Sequence, residues 1–279
     1  MAEAGKLAIL AGGGALPGQI AAAAEAAGRP VTLVAFAGTT VEAAGFPVIA
    51  ARIEKLGALF ADLRAAGVTH VVMAGGMRRP ALDPAGFDDT FLAVAPRLMA
   101  AMQGGDDGLL RVVIAVFEEA GFTVEAPHDL VPALTAAPGF LTATAPGHAD
   151  RADADRAAEI VQGLGALDIG QGAVVAQGLC LGVETVQGTD AMLRFVAETA
   201  RGARPNPDGA RGVLLKMPKP GQDLRVDMPA IGPETVRGAA AAGLAGIVLA
   251  AGRVLVLERD ETLAAAEAAG LFVWARDDI

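Results

Sequence analysis

Short apolar runs alternate with amphipathic stretches through the first half of the chain. Leu7 to Leu10, Val31 to Phe36 and Val68 to Met73 each read as a buried strand. Between them, Ile20 to Ala27 reads as an Ala-rich helix that ends at Gly28. Ile53, Leu56, Leu59, Phe60 and Leu63 recur at helical spacing, which predicts a helix over 53–66 closed by Gly67. Two more helices are predicted at Asp89–Met102 and Asp106–Ala120, with Asp106 as N-cap of the second. Short apolar strands between amphipathic helices predict a parallel sheet covered on both faces, a Rossmann-like arrangement.

The period is lost between Pro127 and Gly147, where four prolines fall. We read a Rossmann-like domain over 1–130, a linker over 131–150 and a second α/β domain over 151–279. The second half resumes with a helix at Asp153–Leu164. Strands Val174–Ala176 and Leu179–Val186 pair around Gln177-Gly178, followed by a helix at Asp190–Ala200 with Thr189 as N-cap. Further strands are expected at Gly212–Lys216, at Ile247–Leu249 and Val254–Leu257 around Ala251-Gly252, and at Leu271–Trp274. Helices are expected at Glu234–Ala242 and Thr262–Ala269. Hairpins mixed with helices predict a mixed sheet.

Composition narrows the chemistry. With a single Cys, Cys180, no intrachain disulfide or Cys-rich zinc site can form. The three His would have to converge to make a His-based metal site. An enzyme built from this chain must therefore work with carboxylates, Lys, Arg, backbone amides or a recruited metal. The net charge of −10 speaks against phosphate-neutralising contact with nucleic acid. The longest apolar stretch, Gly238 to Gly252, is shorter than the ~18 residues of a membrane span and is broken by glycine. The amino-terminal MAEAGKLAIL lacks a basic region before its apolar stretch, so no signal peptide is expected and the cytoplasm is the expected compartment.

Five segments could carry function. The loop AGGGALPGQ (11–19) follows the first strand, so Gly13 and Gly14 could bring backbone amides to an anion at a helix start. It is not a dinucleotide fingerprint: Pro17 stands where Gly or Ala is needed, and the second strand ends without an acid. The loop AGGMRRP (74–80) follows the third strand on the same sheet edge and offers Gly75, Arg78 and Arg79. In GGDDGLLR (104–111), Asp106 and Asp107 could hold a metal or nucleotide hydroxyls. In the stretch 168–193, Gln171 lies between glycines, Glu184 interrupts an apolar strand, and Gly188, Thr189 and Asp190 open a helix. The stretch 216–232, KMPKPGQDLRVDMPAIG, gathers Lys216, Lys219, Asp223, Arg225 and Asp227 among Pro and Gly. If it is extended, Asp223, Arg225 and Asp227 share one side, a setting for Mg2+ and phosphate together.

GGGALP, GDDGLLR, LDIGQGAVV, GTDAML, KPGQDLRVDMPAIG and AGLAGIV occur in an order and spacing that resembles the LpxI-type UDP-2,3-diacylglucosamine pyrophosphatases of lipid A biosynthesis. The resemblance runs nearly end to end. It implies two α/β domains with substrate in the cleft between them. It also implies Mg2+-dependent hydrolysis of UDP-2,3-diacylglucosamine to UMP and 2,3-diacylglucosamine 1-phosphate, with water attacking the β-phosphorus. Asp227 matches the family's critical aspartate, with Asp223 as a second candidate metal ligand. Gly13, Gly14, Gly75, Asp106, Gln171, Gly188, Thr189, Asp190, Lys216, Lys219, Gln222 and Arg225 fall in its motifs as expected substrate contacts. The acyl chains require an apolar groove or work at the inner-membrane surface. A homodimer is compatible with the sequence, which carries no marker of one. The alternatives are a nonenzymatic nucleotide- or lipid-binding protein of the same fold and, disfavoured by the failed fingerprint, a Rossmann oxidoreductase.

Overall fold

The computed structural model describes residues 5–41, 45–77, 82–102 and 106–279, with the side chains of Asp106 and Arg201 outside that description. The chain divides into two compact units, Met1–Pro132 with Arg225–Asp227, and Ala133–Leu224 with Met228–Ile279.

The first unit runs β1 (Lys6–Ala11), α1 (Leu16–Ala26), β2 (Val31–Phe36), β3 (Val48–Ala51), α2 (Leu56–Ala65), β4 (Val68–Ala74), α3 (Asp89–Met102), α4 (Asp106–Glu119), β5 (Thr123–Glu125) and α5 (Pro127–Leu130). Its strands lie in the order β3-β2-β1-β4-β5, and every pairing is parallel. The strand order reverses between β1 and β4, the place where open α/β sheets hold ligands. Phe60, Phe117 and Phe122 meet in the core, the first two edge to face at 5.2 Å. The helix predicted from Ile53 starts at Leu56. Its start is set by Asp88, whose Oδ2 accepts from Gly57 N at 2.8 Å and Ala58 N at 3.4 Å, a cap supplied from a later segment. Asp106 is the first described residue of α4, and its side chain, on which the expected cap depends, lies outside the described residues. The sequence reading lacks β3 and β5. β3 is an edge strand with Val48 exposed, so it carries no buried apolar run.

The second unit runs β6 (Gly139–Phe140), α6 (His148–Gly165), β7 (Gly172–Ala176), β8 (Leu179–Val183), α7 (Thr189–Thr199), β9 (Val213–Lys216), β10 (Ala230–Ile231), α8 (Pro233–Ala241), β11 (Gly246–Ala250), β12 (Leu255–Val256), α9 (Arg259–Ala268) and β13 (Phe272–Arg276). The main sheet has the order β6-β13-β11-β9-β7-β8. β9, β11 and β13 are parallel, while β6 and β7 run antiparallel to their neighbours. This is the mixed sheet the sequence predicts. The stretch 131–150 contains β6 and the start of α6. β7 and β8 form the expected hairpin, with β8 ending at Val183 rather than Val186. β11 and β12 do not pair across Ala251-Gly252; β12 pairs in parallel with β10.

Small side chains let α6 lie close on this sheet. Ala154, Ala157 and Val161 are buried, and a Cβ on Gly165 would come 2.8 Å from Pro220 Cδ. The carboxylate of buried Asp153 accepts from Gln177 N at 2.9 Å and Gly178 N at 2.7 Å, so α6 caps the hairpin turn.

Candidate functional site

In the first unit, the loops after β1 and β4 are joined backbone to backbone. Gly12 N donates to Ala74 O at 2.7 Å, Gly13 N to Gly76 O at 2.8 Å, and Gly76 N to Gly13 O at 3.1 Å. A Cβ on Gly12 would lie 2.5 Å from Gly75 O, and one on Gly75 would lie 2.5 Å from Gly13 O, at a φ of +89°. Only glycine permits this approach. The sequence places the two loops on one edge, and the structure brings Gly12, Gly13, Gly75 and Gly76 into contact there. Gly14, also at a φ of +89°, has nothing within 4 Å of the position a Cβ would take, and α1 follows without a side-chain cap. A helix start of this kind leaves amides without intrahelical partners, which an anion can use. Arg78 and Arg79 lie outside the described residues, as does the side chain of Asp106. Asp107 pairs with Arg111 at 2.7 Å, one helical turn on.

In the second unit, three elements meet at one edge of the main sheet: the end of β9, the start of β7 and the start of α7. Lys216 ends β9 opposite Gly172. Its Nζ, with a side chain 4% exposed, donates to Glu184 Oε2 at 2.7 Å and to Thr189 Oγ1 at 2.8 Å. Thr189 Oγ1 donates in turn to Glu184 Oε1 at 2.9 Å. Gln171 O accepts from Met217 N at 3.0 Å. Thr189 is the first residue of α7, and Gly188, at a φ of +84°, occupies the cap position expected for Thr189. Asp190 lies in the first turn, where its charge is favourable with or without a ligand.

The loop after β9 carries the remaining candidates. Lys219 Nζ pairs with Asp168, a residue in the left-handed region at φ 58°, and Lys219 N donates to Gln222 Oε1 at 2.8 Å. This loop borders a cavity of about 310 Å3 lined by Met217, Pro218, Lys219, Gln222, Leu224 and Arg253. The expected extended alternation of Asp223, Arg225 and Asp227 is not found. Residues 224–226 form a turn, and Arg225–Asp227 group with the first unit while Asp223 groups with the second. Pro218, Pro220 and Pro229 supply no N–H to a strand ladder, which disfavours an extended path. Within the first unit, Arg225 Nη1 donates to Glu118 Oε1 at 2.7 Å.

Among the described residues, no three His, Cys, Asp or Glu gather to hold a metal. Mg2+ is commonly held by one or two carboxylates plus substrate phosphates and water rather than by an all-protein cage. The residues on hand for it are Asp227 and Asp223.

Sequence reasoning misses two partners. Asp168 is assigned no role by it, and its signal is the αL geometry that precedes Gly170. Glu184 is marked as an acid in an apolar strand; the structure places it just after β8 and gives it Lys216 as counter-ion.

Two family models match the chain, one described as the LpxI N-terminal domain over residues 6–134 and one as the LpxI C-terminal domain over residues 137–274. A UDP-2,3-diacylglucosamine pyrophosphatase LpxI of Caulobacter vibrioides is 44% identical over 275 residues, covering 98% of this chain and 98% of the relative.

Proposed function

Because the chain belongs to the LpxI family, we propose that it hydrolyses UDP-2,3-diacylglucosamine to UMP and 2,3-diacylglucosamine 1-phosphate in a Mg2+-dependent reaction. The observation that carries this reading is the end-to-end match to a relative named for that activity. A water oxygen bonds to the β-phosphorus as the bond to the bridging oxygen breaks. UMP leaves with the bridging oxygen, and the lipid keeps the phosphate that water attacked.

The nucleotide end of the substrate suits the glycine loops of the first unit, where the start of α1 offers phosphate a helix amino terminus with open space at Gly14 beside it. Asp227 is assigned the central catalytic role and is the carboxylate proposed to hold Mg2+; Asp223, which groups with the other unit, is the second candidate ligand. When bound, Mg2+ offsets phosphate charge and polarises the reacting oxygens. Lys216, Lys219 and Arg225 each face a carboxylate, so they offer oriented donors rather than bare positive charge. Gln171, Gly188, Thr189, Asp190 and Gln222 are assigned to substrate contact around them.

No helix among the described residues is long and apolar enough to cross a membrane. From the family reading, we propose that the reaction runs on the cytoplasmic side, with the diacyl substrate met at the inner-membrane surface.

The test is incubation with UDP-2,3-diacylglucosamine and Mg2+ in 18O-water, followed by mass spectrometry of both products. Label in the lipid 1-phosphate and not in UMP is expected. Label in UMP would move the attack to the α-phosphorus. Saturable binding with no UMP would replace the enzyme with a binding protein. Asp227→Ala at saturating Mg2+ is expected to lose turnover by at least about 100-fold, and near-normal turnover would remove its assigned role.

A further inference from the structure

Lys216 is buried at the edge of the second unit's sheet, and an ammonium has three donors to place. Among the described residues it spends two, on Glu184 Oε2 and on Thr189 Oγ1. The hydroxyl of Thr189 closes the triangle onto Glu184 Oε1. One N–H remains.

The chain goes to unusual lengths to seat Glu184 there. Its backbone N donates to Gly172 O at 2.8 Å. A Cβ on Gly170 would fall 1.9 Å from Glu184 O, and one on Gly172 would fall 2.8 Å from Glu184 Oε2 and 3.0 Å from Lys216 Cδ. Both glycines of the Gly170-Gln171-Gly172 turn thus make room for this one acid. A buried ion pair is an inefficient way to stabilise a fold, since apolar side chains of similar volume commonly serve as well or better. This pair instead lies where the end of β9 and the amino terminus of α7 meet, a position that favours an anion.

We propose that Glu184 is a positioning residue for the reaction assigned above. With Thr189 as the third member, it fixes the Lys216 ammonium so that its remaining N–H meets a phosphate oxygen of the bound pyrophosphate. Glu184 touches no substrate in this arrangement; it acts through Lys216. The proposal rests on the pyrophosphatase reading, and it adds a residue that the family motifs leave without a role.

The experiment is a double-mutant cycle on the full chain, with Glu184→Gln, Lys216→Ala and the pair. UMP release is measured under saturating Mg2+ and substrate, and thermal unfolding is followed in parallel. Glu184→Gln keeps the side-chain shape and removes the charge. It is expected to lower kcat on the order of 100-fold, with KM within about threefold. In the Lys216→Ala background the same change is expected to cost less than about twofold, because its route to the substrate is gone. A purely structural role would lower the unfolding temperature and leave kcat per folded molecule unchanged, which overturns the proposal. Equal losses in both backgrounds overturn it too, since Glu184 would then act independently of Lys216. If Glu184→Gln does not fold, Thr189→Val removes the other partner of Lys216, and the same cycle is read from it. A wild-type chain that releases no UMP sinks the pyrophosphatase reading and this proposal together; an active wild type with full-rate Glu184→Gln sinks this proposal alone.

Discussion

Gly12→Ala tests the idea that the two glycine loops of the first unit are a single backbone device. The new Cβ would sit 2.5 Å from Gly75 O and 2.7 Å from Gly76 O, where ordinary contact begins at 3.4 Å. Relief requires the loops to part by about 3.4 − 2.5 = 0.9 Å. That movement would stretch the 2.8 Å bond from Gly13 N to Gly76 O to about 3.7 Å and the 3.1 Å return bond to about 4.0 Å, past hydrogen-bond range. Losing two such bonds costs about 0.5–1.5 kcal/mol each. Overpacking adds about 1–3 kcal/mol. The sum is ~2–6 kcal/mol, which lowers the unfolding temperature of this unit on the order of 10 °C. Gly13→Ala is the matched control. Its Cβ meets only Gly76 O, at 3.6 Å, and its φ needs no glycine, so its unfolding temperature should move by no more than about 2 °C. Calorimetry of both variants, with UMP titrations beside it, reads stability and binding separately. If Gly12→Ala unfolds with the wild type, or if Gly13→Ala is equally damaged, the backbone-device argument is wrong.

Three further outcomes follow from the same geometry. Asp153→Ala orphans the amides of Gln177 and Gly178 and should destabilise the second unit by about 2–4 kcal/mol in urea unfolding followed by circular dichroism; Asp153→Asn, which keeps an acceptor, should recover part of that loss. The Arg276 guanidinium, hydrogen-bonded to Asp278, holds that carboxyl below its usual value of 3.8. A depressed acid stabilises above its unfolded pKa and loses that contribution as pH falls through its folded one, so the stability gap between wild type and Asp278→Asn should close as pH falls below the usual carboxylate value of 3.8; Asp278 is largely exposed, which keeps the gap small. EDTA should abolish UMP release and added Mg2+ restore it, with the circular dichroism spectrum unchanged, since no three-residue metal cluster exists among the described residues to unfold.

Much of this arrangement is written in the order of residues. β1, β2 and β4 announce themselves because strands buried on both faces need continuous apolar runs, and the glycines that follow them mark the carboxyl edge where the loops meet. α3 is readable as a helix beginning near Asp89. What stays illegible depends on partners distant in the chain. The start of α2 depends on Asp88, about thirty positions on, and the partner of Lys216 depends on a glycine turn that carries Glu184 inward. β12 follows β11 closely yet pairs with β10, a choice that local pattern does not encode. Alternation in Asp223, Arg225 and Asp227 suggests one face only while the backbone is straight, and a turn at 224–226 removes that premise.

The chain has one Trp and no Tyr, and Trp274 lies in the second unit on β13. Its ring is flanked by the guanidinium groups of Arg151 at 4.8 Å and Arg276 at 4.7 Å, with Phe140 of β6 at 5.9 Å. Light at the red edge of protein absorption therefore excites a single chromophore, and the first unit is dark to it. Emission tracks the β6–β13 edge alone, so the melting of the second unit can be timed by itself without attaching a dye.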